Sequence, residues 1–258
     1  MQPVVILFYA FVPIEDPSGF KDEQRTLCES LNLKGRLFVA HEGINGTFEG
    51  APDAILAYQA ALRSDARFAN MVFKESAGTG SAFRKLEVRV RKEIVTLGAG
   101  EFDVPKETAP QMSAQELEAL YASDEDFVVL DLRNDYEIES GKFEKTVDPG
   151  LKNFRDLPSK LSTLQHLKKK KVVAVCTGGI RCEKATCLLK KEGFENIYQL
   201  KDGIHTYMQQ YPGKNFKGTL FVFDNRMVTP VVDSEAREVI GACLFCAMPC
   251  ETYFSDDS

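Results

Sequence analysis

Two short apolar runs constrain the second half of this 258-residue chain more than any other feature. Phe127-Val128-Val129-Leu130 leads into Asp131, and Lys171 to Val175 leads into Cys176. Strands this apolar and this short suit a parallel sheet buried on both faces. Helical patterns follow Ser113 and occupy Pro158 to Leu167, Arg181 to Glu192 and Gly203 to Tyr211. Their alternation with the strands makes this half α/β. In such sheets the chemistry gathers at the C-terminal ends of the strands, where Asp131 and Cys176 stand.

The first hundred residues follow another rhythm. Val4 to Val12 is β-branched and aromatic, and Lys21 to Leu31 places Leu27 and Leu31 on one helical face. A strand at Arg36 to Ala40 precedes Glu42-Gly43-Ile44-Asn45-Gly46-Thr47, whose Asn-Gly pair predicts a tight hairpin turn into a short strand at Thr47 to Glu49. Pro52 opens a helix running to about Ser64, and Met71 to Glu75 is the next strand. The order β-α-β-β-α-β is that of a ferredoxin-like, split βαβ sandwich, with Phe83 to Val95 as an extra segment. Two Gly, two Pro and mixed charge from Gly98 to Pro110 predict a linker. The expected organisation is therefore an α+β domain at 1–97, a linker at 98–112, an α/β domain at 113–212 and a C-terminal extension at 213–258.

Composition narrows the setting. With 44% hydrophobic and 27% charged residues and no stretch of membrane-spanning length, the expectation is a cytoplasmic protein with no membrane partner. The apolar N-terminus lacks a basic region and a small-residue cleavage site, so it reads as a first strand and not as a signal. A net charge of -6 argues against nucleic-acid binding over the whole surface but leaves room for a local basic patch. Seven cysteines, an odd number, fit a reducing compartment and thiol chemistry better than a disulfide framework. Composition says nothing of oligomeric state.

Cys176-Thr177-Gly178-Gly179-Ile180-Arg181 lies where a buried strand meets a helix. The two glycines let successive N–H groups turn inward as an anion nest. The helix dipole and the charge of Arg181 should then favour a thiolate at Cys176, fit to carry a persulfide or to attack an electrophile. The plain alternative is a buried cysteine at a strand end beside a glycine turn. Asp131 and Arg133, two residues apart after the earlier strand, can pair and brace neighbouring loops, against the alternative of a surface charge cluster. Cys187 reads as a small core residue. Cys182, on the first helical turn, could serve as a resolving thiol, but packing is the favoured role.

These motifs resemble the rhodanese family, whose domains combine an Asp-x-Arg element, a following Glu, here Glu137, and a cysteine loop ahead of a helix. Gly203-Ile204 after Tyr198 to Asp202 matches as well, while Gly141-Lys142-Phe143 departs from the usual Gly-His-Ile. The six-residue loop is one residue shorter than the Cys-x5-Arg loop of cysteine phosphatases, which suits a terminal sulfur and argues against phosphatase activity. Glu42 to Thr47, Phe83 to Gly98, Cys176 to Lys184 and Phe221-Val222-Phe223-Asp224-Asn225-Arg226 extend the resemblance over nearly the whole chain, to the bacterial rhodanese-domain tRNA uridine hydroxylases. That resemblance implies an acylphosphatase-like N-terminal domain, a rhodanese-like catalytic domain and a short cysteine-containing tail. It also implies oxygen-dependent hydroxylation at carbon 5 of the wobble uridine, in the anticodon region of tRNA. Cys176 would be the required residue and molecular oxygen the co-substrate. The residues display no flavin, haem or iron motif.

An RNA partner also has support from the residues. Leu86, Val88 and Val90 alternate with Lys85, Glu87, Arg89 and Arg91, so a strand would turn basic side chains to one face, with Arg84 and Lys92 at its ends. The bland alternative is a solvated strand face. Cys243, Cys246 and Cys250 have zinc-site spacing, but no fourth ligand follows them, so zinc is not expected. A partial or intermolecular site remains open beside the favoured reading, three separate thiols on a mobile tail. The competing functions are a sulfurtransferase passing a persulfide from Cys176 to a small thiophile or carrier protein, and a binding adaptor on an inactive fold. The intact cysteine loop argues against the adaptor.

Overall fold

The computed structural model describes residues 2–231, 238–243 and 246–251. They form two units: Met1–Thr96 with Asp224–Arg226, and Leu97–Phe223 with Met227–Ser258.

The first unit runs β1 (Val4–Phe11), α1 (Pro17–Ser30), β2 (Lys34–Ala40), β3 (Gly43–Gly50), α2 (Pro52–Arg63), β4 (Lys74–Ala77) and β5 (Leu86–Val90). Its sheet has the order β4-β1-β3-β2-β5, antiparallel except where β5 joins β2 in parallel. This is the ferredoxin-like α+β sandwich with one added edge strand, drawn from a five-residue part of the extra segment. Asp16 caps α1 by accepting from the N–H groups of Ser18 and Gly19, and Pro52 begins α2. One sheet face and the helices bury Ile6, Phe8, Leu37, Val39, Phe48, Ile55 and Tyr58.

Two local expectations are corrected. Asn45 and Gly46 do not turn: they lie inside β3, opposite Tyr9 and Phe8, and the hairpin between β2 and β3 is closed by His41 and Glu42. Gly46 is there for space, since a Cβ would sit 2.4 Å from the Phe8 ring. The motif instead clasps the chain beyond β5. Glu42 Oε1 accepts from the Ile94 N–H at 2.7 Å, and Asn45 Nδ2 donates to the Ile94 carbonyl at 2.9 Å. The fourth strand begins at Lys74 and not Met71. Met71 closes the 3-10 turn at Ala66–Phe68, its N–H donating to Phe68 O and its carbonyl accepting from Arg63.

The second unit contains α3 (Val104–Glu107), β6 (Gln111–Met112), α4 (Ala114–Tyr121), β7 (Phe127–Asp131), α5 (Asp135–Ile138), β8 (Gly141–Phe143) and β9 (Thr146–Val147). It continues through α6 (Leu157–Lys160), β10 (Lys171–Val175), α7 (Ile180–Lys191), β11 (Ile197–Leu200), α8 (Gly203–Gln210), β12 (Phe216–Gly218), β13 (Leu220–Phe221) and β14 (Val228–Thr229). The sheet β6-β11-β10-β7-β9 is parallel throughout, as the two apolar runs demand. Val129, Leu130 and Val172 to Val175 are fully buried at its centre. Ser113 and Glu116 form a capping box that starts α4. The helix expected at Pro158 to Leu167 is α6 followed by a 3-10 stretch at Leu161–Leu167.

Residues 98–112, expected to be a linker, are partly built into this unit. Gln111–Met112 is a sheet strand, the Thr186 hydroxyl accepts from the Ala109 N–H, and Gln199 Nε2 donates to the Ala109 carbonyl. Backbone hydrogen bonds held by buried side chains override the Gly/Pro composition that suggested a linker. Described parts of the extension pair as strands: β12 with β8, and β13 with β14. The cysteine segment closes on itself through an Ala242–Pro249 bridge, with the Cys250 N–H donating to Gly241 O. Among the described residues no helix is long and apolar enough to cross a membrane.

Candidate active site

Cys176 follows β10 directly, and Gly179, at φ +101°, turns the chain into α7. Of the two loop glycines only Gly179 takes a positive φ. Its N–H donates to Cys176 Sγ at 3.2 Å. The loop is held from behind by α8, where the N–H of Ile204 donates to Cys176 O at 2.9 Å and that of His205 to Thr177 O at 3.0 Å. This approach requires Gly203. At φ +72°, any Cβ there would lie 2.7 Å from Cys176 O, Thr177 O and Gly179 N.

Arg181 was expected to lend the loop a full positive charge. That charge reaches the sulfur, and the guanidinium is also buried and forked onto Glu137, with Nη1 to Oε1 at 2.5 Å and Nη2 to Oε2 at 2.9 Å. Nη2 also donates to the Thr177 hydroxyl at 3.1 Å. A buried cation needs a partner, and Glu137, wholly inaccessible, supplies it. Burial alone would raise the Glu137 carboxyl, but the charge and hydrogen bonds of Arg181 outweigh it and hold it below its usual range. Arg181 is correspondingly raised, its burial being outweighed by the Glu137 carboxylate.

Much of the work at the sulfur falls to Cys182. Burial pushes the Cys176 thiol up, and four effects overcome it: a hydrogen bond from the Cys182 thiol, the charge of Arg181, and the N–H groups of Cys182 and Gly179. The net result lowers Cys176 from 9.0 to about 6, so the thiolate dominates at neutral pH. Cys182 itself is raised well above its ordinary value, by burial and by its bond to Cys176, and it stays a neutral donor. Cys182 therefore does more than pack. Cys187, almost fully buried, is raised to about 11, chiefly by burial.

A second pair stands behind the first. Arg133 grips Asp131 through Nε to Oδ1 at 3.0 Å and Nη2 to Oδ2 at 2.7 Å, both side chains at 0% exposure. The same guanidinium donates to the carbonyls of Glu137 at 3.2 Å and Gly141 at 2.6 Å. It thereby fixes the segment that presents Glu137. This is a buried brace and not a surface cluster. Gly141 is part of it: a Cβ there would meet Thr219 O at 2.2 Å.

Asp131, Arg133, Glu137, Cys182 and the loop Thr177, Gly178, Gly179, Ile180 and Arg181 thus converge with Cys176 in one unit. Sequence reasoning missed what flanks them. Arg181 stacks over the Phe223 ring at 5.8 Å, Phe221 meets both Phe223 and Tyr136 edge-on, and Asn134 Nδ2 donates to the Tyr136 hydroxyl at 2.7 Å. The run Phe221-Val222-Phe223 was visible as a motif but carried no assignable role.

The basic stripe belongs to the other unit. There Glu87 pairs with Lys85 at 2.8 Å and with Arg89 at 3.0 Å, and Arg91 stacks on Phe38 at 5.3 Å. Arg84, Arg91 and Lys92 are exposed. Cys243 and Cys250 are half-buried and Cys246 is exposed, and among the described residues no three His, Cys, Asp or Glu side chains are grouped to hold a metal ion.

Comparison with known proteins agrees with this architecture. Residues 3–94 match the UPF0176 acylphosphatase like domain, 113–210 the rhodanese-like domain and 217–255 the rhodanase C-terminal family. A tRNA uridine(34) hydroxylase of Onion yellows phytoplasma is 42% identical over 98% of this chain and 83% of its own length. Proteins of that name from Listeria welshimeri, at 43% identity over 97% and 79%, and Cytophaga hutchinsonii, at 40% over 94% and 77%, are similar to it as well. With that identity carried through both units, the chain belongs to the tRNA uridine(34) hydroxylase family.

Proposed function

We propose that this chain is a tRNA-modifying oxidoreductase that hydroxylates the wobble uridine at carbon 5, with molecular oxygen as oxidant and Cys176 as the nucleophile. Family membership over nearly the whole chain carries the reading. The site supports it with a cysteine held as a thiolate near neutral pH. A thiolate can add to carbon 6 of a uracil ring, which moves electron density onto carbon 5 for attachment of one oxygen atom. Loss of the carbon-5 proton and expulsion of the thiolate then restore the ring, while an external two-electron reductant such as a small thiol releases the second oxygen atom as water. The chain's own residues prepare this step. Gly179 and Cys182 donate to the sulfur, Arg181 adds a charge held in place by Glu137, and α8 fixes the loop carbonyls. Arg84, Lys85, Arg89, Arg91 and Lys92 serve tRNA phosphates in this reading, a role suited to exposed cations on an edge strand. The sulfurtransferase alternative is not favoured, since the relatives that match through both units carry the hydroxylase name.

Nucleoside mass spectrometry tests the proposal. In a strain lacking the gene and any redundant pathway, wild-type protein should restore 5-hydroxyuridine in tRNA and Cys176→Ser should not. Unchanged 5-hydroxyuridine on deletion, or full restoration by Cys176→Ser, would overturn it.

A further inference from the structure

Three aromatic rings lie in a chain beside the cysteine loop. Phe221 is buried, and Tyr136 and Phe223 flank it at centroid distances of 5.2 and 5.4 Å, with interplanar angles of 74° and 78°. The flanking rings are exposed, Tyr136 at 41% and Phe223 at 46%. Few large apolar side chains among the described residues are as open, and these two belong to one contiguous group. Both are fixed to the site's ionic frame. Phe223 lies under the Arg181 guanidinium, Tyr136 directly precedes Glu137, and its hydroxyl is tethered by Asn134. Cys176 by contrast is wholly inaccessible, and Thr177 and Arg181 nearly so. The exposed rings are thus joined to the cysteine loop through Arg181 and to its ionic frame through Glu137.

Exposed apolar surface gathered in one place, unlike single scattered side chains, marks an interaction site. A planar base suits it, because any base has a π-face and stacking on an aromatic ring contributes about 1–3 kcal/mol. Resting on the proposed function, we infer that Tyr136 and Phe223 form the platform on which the target uracil stacks as it is splayed toward Cys176. These are substrate-positioning residues: they hold the base, and the sulfur acts on it.

Fluorescence anisotropy on the full chain tests this, using labelled anticodon stem-loop RNAs with either uridine or an abasic ribose at the wobble position. Wild type should prefer the uridine RNA by about fivefold or more. Phe223→Leu and Tyr136→Leu should lose most of that preference while binding the abasic RNA as wild type does, and Phe223→Tyr, which keeps a ring, should retain it. Leucine variants with the wild-type preference, or an equal loss for both RNAs that Phe223→Tyr shares, would overturn the platform. The hydroxylase reading is judged separately by 5-hydroxyuridine in cellular tRNA. A lost platform with hydroxylation still dependent on Cys176 leaves that reading standing, and a platform without hydroxylation removes only the reading.

Discussion

The cysteine loop and the edge strand β5 both carry arginine–glutamate pairs, and the pairs differ in what surrounds them. Glu137 and Arg181 are buried, joined by two hydrogen bonds and packed among groups that are themselves bonded. Glu87, with Lys85 and Arg89, lies at the surface, where the two basic side chains are half or more exposed. The first arrangement fixes a geometry, because neither partner can be solvated if the other leaves. The second fixes little, because water and salt replace a lost partner.

Removing one acid from each region tests that contrast most severely. Glu137→Ala strands a buried guanidinium and should destabilise the second unit by about 3–5 kcal/mol. Glu87→Ala should leave stability close to that of wild type, because water and salt replace the lost ion pairs. Urea denaturation followed by circular dichroism reads both. A Glu137→Ala protein as stable as Glu87→Ala would show that the buried pair is not the frame described.

This asymmetry explains what the sequence made legible. Buried features leave a pattern: the apolar runs ending at Asp131 and Cys176 give the parallel sheet, and Asp131-x-Arg133 gives a brace that the structure buries completely. Partner choice is less visible. Glu137 and Arg181 are 44 residues apart, and nothing in the spacing joins them. Cys182 looked like packing because a small apolar-like thiol on a first helical turn carries no sequence sign of its hydrogen bond to Cys176. Asn45-Gly46 misled for the opposite reason. The pair has turn chemistry, but Phe8 needs the space of Gly46 and Ile94 the amide of Asn45, so tertiary contacts outweighed local propensity. On β5 the alternation is incomplete: Val88 is buried, Arg89 and Val90 are both exposed, and Glu87 within the stripe pairs with Lys85 and Arg89.

A smaller effect is expected where the buried region tunes a charge. In Cys182→Ala the Cys176 thiolate loses its thiol hydrogen-bond donor, worth about 1.5–3 kcal/mol for a charged acceptor, so its pKa should rise from about 6 by roughly one to two pH units. Cys182→Ser should restore most of the shift. Ultraviolet absorbance of the thiolate against pH measures both. The sign for stability follows. Cys176 loses its proton more readily when folded, so between about pH 6 and 9.0 the unfolded chain binds more protons and stability rises with pH. That increment is complete above 9.0, is lost as pH falls toward 6, and should be missing in Cys176→Ser. A Cys182→Ala titration midpoint unchanged from wild type would break the assignment of Cys182 as a donor.

The mildest change belongs to the exposed region, where the prediction turns on competition. If β5 meets tRNA phosphates, Glu87 competes with them for Lys85 and Arg89, which it now holds at 2.8 and 3.0 Å. Glu87→Gln keeps the shape and removes the competing charge, so tRNA binding should tighten and depend more steeply on salt. Arg89→Ala should weaken binding and reduce the slope of log K against log salt by about 0.9, one phosphate contact fewer. Neither change should lower the stability of the fold, because solvated surface ion pairs contribute little to it. Filter binding of tRNA across a salt series separates the outcomes. Opposite shifts for Glu87→Gln and Arg89→Ala identify β5 as a phosphate-binding edge. Salt slopes identical to wild type in both variants would leave its charges as a solvated face and confine recognition to other surfaces.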